Sequence, residues 1–487
     1  MLFNSFEFII FLPTVFFLYW FVFNKSIRLQ NLLILISSYV FYGWWDWRFL
    51  SLIFLSTIID YFVGLKIYHT QKIDNKKYYL LISILVNLGL LGFFKYFNFF
   101  IDSWVHLLNS IGYTHGNTWT LNIILPVGIS FYTFQTMSYT LDIFKGKLKP
   151  TTDFISFASF VSFFPQLVAG PIERASNLIP QILSRRYFIY DNAVIGLRLI
   201  LWGLFKKIVI ADNIGEYADA IFNNYNLYEG STLLLGLLFF TFQIYCDFSG
   251  YSDIAIGTSK LFGINLKKNF DFPYFSRNIG EFWKRWHISL SSWFRDYIYI
   301  PLGGSRGPKR KSIRNIFIIF LVSGLWHGAN ITFVIWGFAH SILYIPLFLV
   351  GNNRKYDDVS FSKIKTNFKE LYNIFFTFIA VMVSWVFFRS DTIVDSINYL
   401  KIMFGKTLLE NPRNDLLQLS IGPDIIIDTI ILFLFILIEF IQKDKKSIFD
   451  IFSSNTHFIY RWTVYYLVLV TILLRYNDGN NFIYFQF

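Results

Sequence analysis

Charged side chains are scarce in this sequence, since Asp, Glu, Lys and Arg make up 15% of its 487 residues. An ordinary soluble domain contains about 25%. Apolar residues make up 55% and aromatic residues 21%, more than a soluble protein of this length can bury. The scarcity of charge therefore excludes a soluble enzyme, and the ample apolar material excludes an intrinsically disordered chain. A polytopic membrane protein remains.

Cysteine and the sequence patterns of several enzyme classes are also missing. The single cysteine, Cys246, excludes a disulfide framework and a cysteine-rich zinc or iron–sulfur site. The seven histidines include no short His-x-x-x-His pair, so the sequence predicts no metal site. A Gly-x-x-x-x-Gly-Lys-Ser/Thr loop for ATP and a Gly-x-Ser-x-Gly serine nucleophile are absent too.

The net charge is 43 − 31 = +12, and the basic residues lie mostly between apolar runs. Lys and Arg accumulate in the cytoplasmic loops of membrane proteins, which explains the excess without a nucleic-acid partner. The partner that the composition predicts is membrane lipid.

The sequence predicts an all-α fold with eleven to thirteen transmembrane or re-entrant helices, because a span needs about 20 apolar residues. The uncharged run 316–350 is too long for one span, and Gly324, Gly328 and Asn330 offer places where it can break. The expected spans lie near residues 6–23, 30–46, 49–68, 78–100, 122–144, 154–170, 193–212, 231–248, 316–350, 371–388, 424–441 and 462–475.

Residues 276–314 mix charges and tryptophans at helical spacing, unlike the apolar runs. Trp283, Trp286 and Trp293 alternate there with basic and acidic side chains. Such a pattern suits neither the bilayer centre nor free water. It predicts an amphipathic helix in the membrane interface, with its rings at the depth of the headgroups.

His327 is the first candidate for chemistry. It follows eleven uncharged residues from Ile316, which as a helix rise about 17 Å. This places it near the middle of a hydrocarbon core about 30 Å thick. An ionisable side chain at that depth is costly and indicates a functional site. The alternative is a neutral histidine that donates one hydrogen bond between helices.

His287 is the second candidate, inside the sequence Trp-Lys-Arg-Trp-His. Beside tryptophan at an interface, a histidine is commonly an anchor. If the segment dips toward His327, two imidazoles enter one chamber, and neutral imidazole can accept a proton from a hydroxyl at neutral pH.

Two carboxylates, Asp247 and Asp253, lie six positions apart in an apolar context. That spacing places them on different faces of a helix. They are expected to pair with Lys or Arg rather than with each other as acid and base. Farther upstream, Gly170-Pro171 before Glu173 and Arg174 indicates a kink at a membrane boundary.

Several of these segments, taken in order, resemble the membrane-bound O-acyltransferase family and its bacterial alginate O-acetylase branch. The resemblance covers roughly residues 1–345. It rests on the following stretches: MLFNSFEFIIFLP at the start, FFPQLVAGPIERASNLIPQ at 163–181, QIYCDFSGYSDIAIG at 243–257, FDFPYFSRNIGEFWKRWHISLSSWFRDYIYIPLGGSRG at 270–307 and LVSGLWHGANITFVIWG at 321–337.

The resemblance implies a ring of helices around a funnel or tunnel that joins the two faces of the membrane. It implies a single membrane-embedded domain over 1–487, with core motifs at about 160–345 and further helices at 351–487. His327 matches the catalytic histidine of the family, and His287 matches a second position that is His in this branch and Asn in many others.

The resemblance also implies the substrates and partners. The donor would be an acyl thioester such as acetyl-CoA, with no permanently bound cofactor. Because coenzyme A is polyanionic, Lys284, Arg285 and Arg306 are expected to attract it, although a positive-inside loop explains them equally well. The acetyl group would reach an extracytoplasmic polysaccharide, alginate-like or peptidoglycan, through an SGNH-type partner of a bacterial inner membrane.

In this reaction His327 would take a proton from the attacking hydroxyl or carry the acyl group itself as a nucleophile. His287 or a backbone N–H near Gly328 would stabilise the oxyanion. Three alternatives stay open. The enzyme could be a D-alanyl transferase that serves teichoic acids from a carrier protein. The chain could instead be a proton-coupled transporter using Asp60, Asp142 and Asp247, or a purely structural membrane scaffold.

Overall fold

A computed structural model describes residues 1–113, 120–121, 123–356, 367–412, 415–416, 424–443, 457–476 and 482. All regular structure in these ranges is helical, as the sequence predicts. The α-helices are α1 Phe6–Phe17, α2 Ile27–Asp46, α3 Leu50–His69, α4 Ile73–Leu91, α5 Phe97–Ser110, α6 Ile129–Phe144, α7 Phe154–Ser162, α8 Phe164–Leu167, α9 Ala175–Leu183, α10 Tyr190–Leu204, α11 Asn213–Asn223, α12 Gly230–Leu261, α13 Ile279–Arg285, α14 Ile288–Phe294, α15 Lys309–His327, α16 Ile331–Leu349, α17 Phe368–Arg389, α18 Ile393–Met403, α19 Asp424–Gln442 and α20 Phe458–Arg475.

Short segments of other helix types extend or connect these α-helices. The π-helical segments are Leu18–Val22, Gly92–Tyr96, Phe205–Asp212 and Arg295–Tyr299. The 3₁₀ segments are Trp47–Phe49, Tyr225–Leu227, Pro273–Phe275, Asn352–Arg354 and Lys406–Leu409.

Six helical runs among the described residues are long and apolar enough to cross a membrane. They are Ile27–His69, Ile73–Ser110, Gly230–Leu261, Ile331–Leu349, Phe368–Arg389 and Phe458–Arg475. Six is fewer than the expected eleven to thirteen, partly because the first two runs each contain two α-helices. Other apolar stretches form shorter helices, such as Phe6–Val22 and Phe154–Leu167. The protein is a multi-pass, all-α membrane protein.

The chain forms two compact units. One contains residues 1–200 and 254–267, and the other contains 201–253 and 268–487. The first unit buries polar side chains between its helices. Asp60 on α3 accepts hydrogen bonds from the Ser83 hydroxyl at 2.6 Å and the Asn87 amide at 2.8 Å, both on α4. Two donors thus satisfy this buried carboxylate.

The second unit contains the hairpin of α15 and α16, where the predicted break in the run 316–350 is confirmed. α15 ends at His327, and the Asn330 side chain caps α16 by accepting a hydrogen bond from the Thr332 backbone N–H. The backbones of α15 and α16 are in close contact at two glycines. A Cβ on Gly324 would collide with the carbonyl oxygen of Phe333, and one on Gly337 with that of Phe320. Small residues allow such close packing of membrane helices.

The segment 276–314 differs from the single interfacial helix predicted for it. It forms the short helices α13 and α14 and then a π-helical segment, and α15 begins at Lys309. Trp286 is 0% exposed and Trp293 is 4% exposed. Both rings pack inside the protein, and their depth in the membrane stays a prediction. A sequence that alternates charged residues and tryptophans predicts an amphipathic helix. In the structure, however, charged side chains of this segment pair with one another, as Glu281 does with Arg277 and Arg285.

Candidate active site

The imidazole of His327 lies inside a cage of aromatic rings. His327 ends α15 and is 2% exposed. Its ring centroid lies 5.2 Å from Trp336 on α16 and 5.5 Å from Phe388 on α17, and both rings stand edge-on to it. The preceding residue, Trp326, lies 5.0 Å away. Three helices therefore position this histidine in an apolar surrounding.

His287 lies beside it, at the junction of α13 and α14. Its backbone has φ 44° and ψ 55°, the left-handed region that residues other than glycine seldom adopt. The side chain is 0% exposed, and its ring centroid is 6.3 Å from that of His327. Phe248 on α12 stands edge-on at 4.7 Å. Burial lowers the pKa of His287 to about 3, because desolvation disfavours the charged imidazolium.

Asn269 holds the turn that contains His287, although sequence reasoning did not identify it. Its backbone carbonyl accepts a hydrogen bond from the N–H of Ile288 at 2.9 Å. Its side-chain Oδ1 lies 2.6 Å from the Ser289 hydroxyl, 3.3 Å from the Ser289 backbone nitrogen and 3.3 Å from Nδ1 of His287. Asn269 is 0% exposed. No signal in one sequence distinguishes it from other asparagines between helices.

A third histidine, His340 on α16, packs behind the cage. It is 0% exposed, and its Nε2 lies 3.0 Å from the Ser384 hydroxyl. Its ring centroid is 4.9 Å from Trp336, which separates it from His327. His340, like His327, is an ionisable residue in the uncharged run 316–350. The sequence argument used for His327 would therefore have identified His340 as well.

Two consecutive lysines on the π-helical segment Phe205–Asp212 form buried ion pairs with carboxylates. Lys207 Nζ lies 2.6 Å from Asp212 and 2.8 Å from Asp247, and Lys206 Nζ lies 2.8 Å from Asp253. The prediction that Asp247 and Asp253 pair with basic residues is confirmed. The sequence did not indicate which lysines, because the contacts depend on how distant helices pack.

Of the three basic residues expected to attract a polyanionic donor, one is held inside the protein. Arg285 is 9% exposed, and its guanidinium pairs with Glu281 at 2.9 Å and with Asp271 at 3.0 Å. Glu281 also binds Arg277 at 2.8 Å. Lys284 and Arg306 are exposed. The structure therefore brings together His287 and His327 but assigns Arg285 to a buried ion-pair cluster.

Residues 73–389, which include His287 and His327, match the family model of the membrane-bound O-acyltransferase family. The chain belongs to the membrane-bound O-acyltransferase family. This confirms the resemblance seen in the sequence, and it makes the protein an O-acyltransferase rather than a transporter or a structural scaffold. Both histidines fall within the matched residues.

Individual relatives extend the match across most of this O-acyltransferase. A probable alginate O-acetylase of Pseudomonas syringae pv. tomato is 41% identical over 75% of this chain and 68% of its own length. A peptidoglycan O-acetyltransferase of Helicobacter pylori is 37% identical over 83% of this chain and 80% of its own. A teichoic acid D-alanyltransferase of Bacillus subtilis is 31% identical, but over 46% of this chain and 58% of its own.

Proposed function

We propose that this O-acyltransferase moves an acetyl group from a cytoplasmic thioester, acetyl-CoA, to an extracytoplasmic polysaccharide. The observation that carries the proposal is the similarity to the two O-acetyl-transferring relatives over at least three quarters of the chain. The teichoic acid D-alanyltransferases align with less of it, 46% for the Bacillus subtilis enzyme and 55% for that of Streptococcus thermophilus. Acetyl transfer is therefore favoured over D-alanyl transfer, with alginate-like polysaccharide and peptidoglycan as the two acceptor classes.

In the proposed reaction an acceptor hydroxyl oxygen attacks the carbonyl carbon of the thioester. An imidazole nitrogen of His327 takes the hydroxyl proton as general base. The carbon–sulfur bond then breaks, and the imidazolium returns the proton to the departing thiolate, which leaves an ester and a free thiol. The aromatic cage around His327 supports this role, because a water-poor surrounding protects a thioester from hydrolysis.

The oxyanion formed during attack needs a hydrogen-bond donor. Backbone N–H groups just after Gly328 are suited to the task, because the chain is not helical again until Ile331, whereas the N–H of Gly328 itself donates to the carbonyl of Gly324. These groups are the proposed oxyanion donors.

The donor would approach from the cytoplasmic side, and the exposed Lys284 and Arg306 are proposed to attract its phosphates. Arg285 is better suited to a structural role, since its charge is already balanced by Glu281 and Asp271. Beyond the membrane, an SGNH-type partner would pass the acetyl group to the polymer. Both the partner and the bacterial inner membrane as location rest on the family resemblance of the sequence motifs.

The proposal can be tested in cells that lack the chromosomal gene. The cells are complemented with the wild-type chain or with His327→Ala, and the alkali-labile groups released from purified envelope polysaccharides are identified by mass spectrometry. Acetate that returns with the wild-type chain and not with the variant is the expected result. D-Alanine in place of acetate would overturn the proposed acyl group, and neither product in any polymer fraction would overturn the proposed acceptor class.

A further inference from the structure

The contacts around Asn269 determine which nitrogen of His287 carries the proton. Three atoms converge on Oδ1 of Asn269: the Ser289 hydroxyl, the Ser289 backbone nitrogen and Nδ1 of His287. The backbone N–H of Ser289 can only donate a hydrogen bond. The amide atom that faces it is therefore the oxygen, which can only accept.

A neutral imidazole has one N–H donor and one lone-pair nitrogen, and its surroundings select the tautomer. Since Nδ1 of His287 faces an acceptor, that nitrogen must be the one that carries hydrogen. The lone pair then resides on Nε2. We propose that Asn269 is a positioning residue that holds His287 as the Nδ1–H tautomer, so that His287 enters the reaction as a hydrogen-bond acceptor through Nε2.

The backbone of the same turn supports this assignment. His287 adopts a left-handed conformation with φ 44°, which persists only where the surroundings hold it. Asn269 holds the two residues that follow the histidine, because its main-chain carbonyl accepts a hydrogen bond from Ile288 and its side chain accepts one from Ser289. The desolvation that lowers the pKa of His287 to about 3 also keeps the ring neutral at physiological pH.

This inference rests on the proposed acyl transfer and assigns His287 a role within it. A neutral imidazole without hydrogen on Nε2 cannot donate a hydrogen bond from that atom to an oxyanion. In the proposed reaction the hydroxyl group of the substrate that receives the acetyl group has a proton to give. That proton goes to His327, the general base. The lone pair on Nε2 of His287 therefore accepts a hydrogen bond from another donor group of the bound substrates, while the oxyanion takes its donors from the backbone after His327.

The tautomer can be measured without any activity assay. The protein is labelled with ¹⁵N-histidine and placed in lipid nanodiscs, and the imidazole nitrogen shifts are recorded at pH 7.5. The signal of His287 is assigned by its loss in His287→Asn. The expected result is a protonated Nδ1 and a pyridine-type Nε2. A protonated Nε2 with a pyridine-type Nδ1 would overturn the inference, whether or not the protein transfers acetyl groups.

Two substitutions of Asn269 then connect the tautomer to catalysis. Asn269→Asp keeps an acceptor on Nδ1 and should preserve the Nδ1–H form and most of kcat. Asn269→Leu removes it and should give a mixture of tautomers with kcat lowered tenfold or more. A catalytic histidine in the wrong tautomer is known to cost up to about 10⁴-fold. KM for the thioester should change little.

Asn315 provides the matched control. It is a buried asparagine, 1% exposed, whose amide donates to the carbonyls of Leu302 and Gly304 away from His287. Asn315→Leu should leave the His287 tautomer as in the wild type. Equal kcat values for Asn269→Leu and wild type would overturn the positioning role, and if Asn269→Leu does not fold, the wild-type spectrum still decides the tautomer.

Discussion

The imidazole rings of His287 and His327 lie side by side, with their centroids 6.3 Å apart. Trp326 contacts both, at 5.8 Å from His287 and 5.0 Å from His327. The two histidines come from different elements, one from a strained turn and the other from the end of α15. Their proximity is the physical basis for a reaction in which one imidazole moves a proton while the other holds a substrate group.

The close contact between α15 and α16 predicts that alanine at Gly324 or Gly337 will reduce acyl transfer. Each added methyl group meets backbone of the opposite helix, which cannot move aside as a side chain can. Overpacking of this kind costs about 1–3 kcal/mol, and it would displace His327, three residues beyond Gly324. Thermal unfolding and thioester turnover of the purified variants measure the two effects.

Gly89 on α4 is the matched control, because a Cβ there would have no atom within 4 Å. Gly89→Ala should keep wild-type stability and turnover. A Gly324→Ala protein as active as Gly89→Ala would show that the backbone contact does not position His327.

The buried ion pairs predict that Lys207→Met will be strongly destabilising. Its Nζ lies against Asp212 and Asp247, and all three side chains are less than 9% exposed. Removing the cation from a buried pair costs about 3–5 kcal/mol. The variant should show a much lower unfolding temperature in detergent than the wild type.

An exposed ion pair offers the comparison for Lys207. Lys77 pairs with Asp74 at 3.3 Å, with side-chain exposures of 63% and 88%, and such surface pairs contribute little. Lys77→Met should unfold at nearly the wild-type temperature. Equal, small losses for both variants would mean that the Lys207 pairs do not stabilise the fold.

The burial of His287 predicts that acid destabilises the protein. Its pKa is about 3 in the folded state and about 6.5 when unfolded. The unfolded chain therefore takes up a proton first as the pH falls, and stability is lost below about pH 6.5. Between pH 7.5 and 5 the loss from this one residue is about 2 kcal/mol.

His287→Asn tests this prediction, because asparagine tolerates the left-handed backbone and does not titrate. Unfolding of both proteins is measured at pH 7.5 and at pH 5. The variant should lose less stability than the wild type between these values. The exposed His69, changed to asparagine, should reproduce the wild-type loss, and a wild-type-like loss in His287→Asn would contradict the prediction.

Much of the architecture could be predicted from composition and periodicity, since apolar runs define membrane helices whatever they pack against. The break after His327 was visible because Gly328 and Asn330 are residues that end and begin helices. The pairing of Asp247 and Asp253 with cations followed from the cost of an isolated buried charge.

The details of the site depend on contacts between positions far apart in sequence. Local sequence patterns do not show that Lys206 and Lys207 pair with the aspartates. They also do not show that Asn269 holds the turn of His287. The burial of Trp286 was missed for a related reason. Glu281 pairs with both Arg277 and Arg285 inside the protein, whereas the sequence pattern predicted that these charges face water.

Substitutions of His340 and His327 show whether catalysis requires a histidine next to His287 or only a histidine buried among aromatic rings. Both are buried and contact Trp336, but only His327 lies next to His287. His340→Gln should therefore keep turnover within about tenfold of the wild type. His327→Gln should lose about 10²–10⁴-fold, the usual contribution of a general base.

The most direct test of acyl transfer at His327 follows radiolabelled acetyl-CoA in the presence of the purified wild-type protein, His327→Gln and His340→Gln. The assay is run with and without an SGNH-type partner from the same cell. Release of free CoA by the wild type and His340→Gln, but not by His327→Gln, is the predicted result. Equal release by the wild type and His327→Gln, or none by the wild type even with the partner, would contradict acetyl transfer at this histidine.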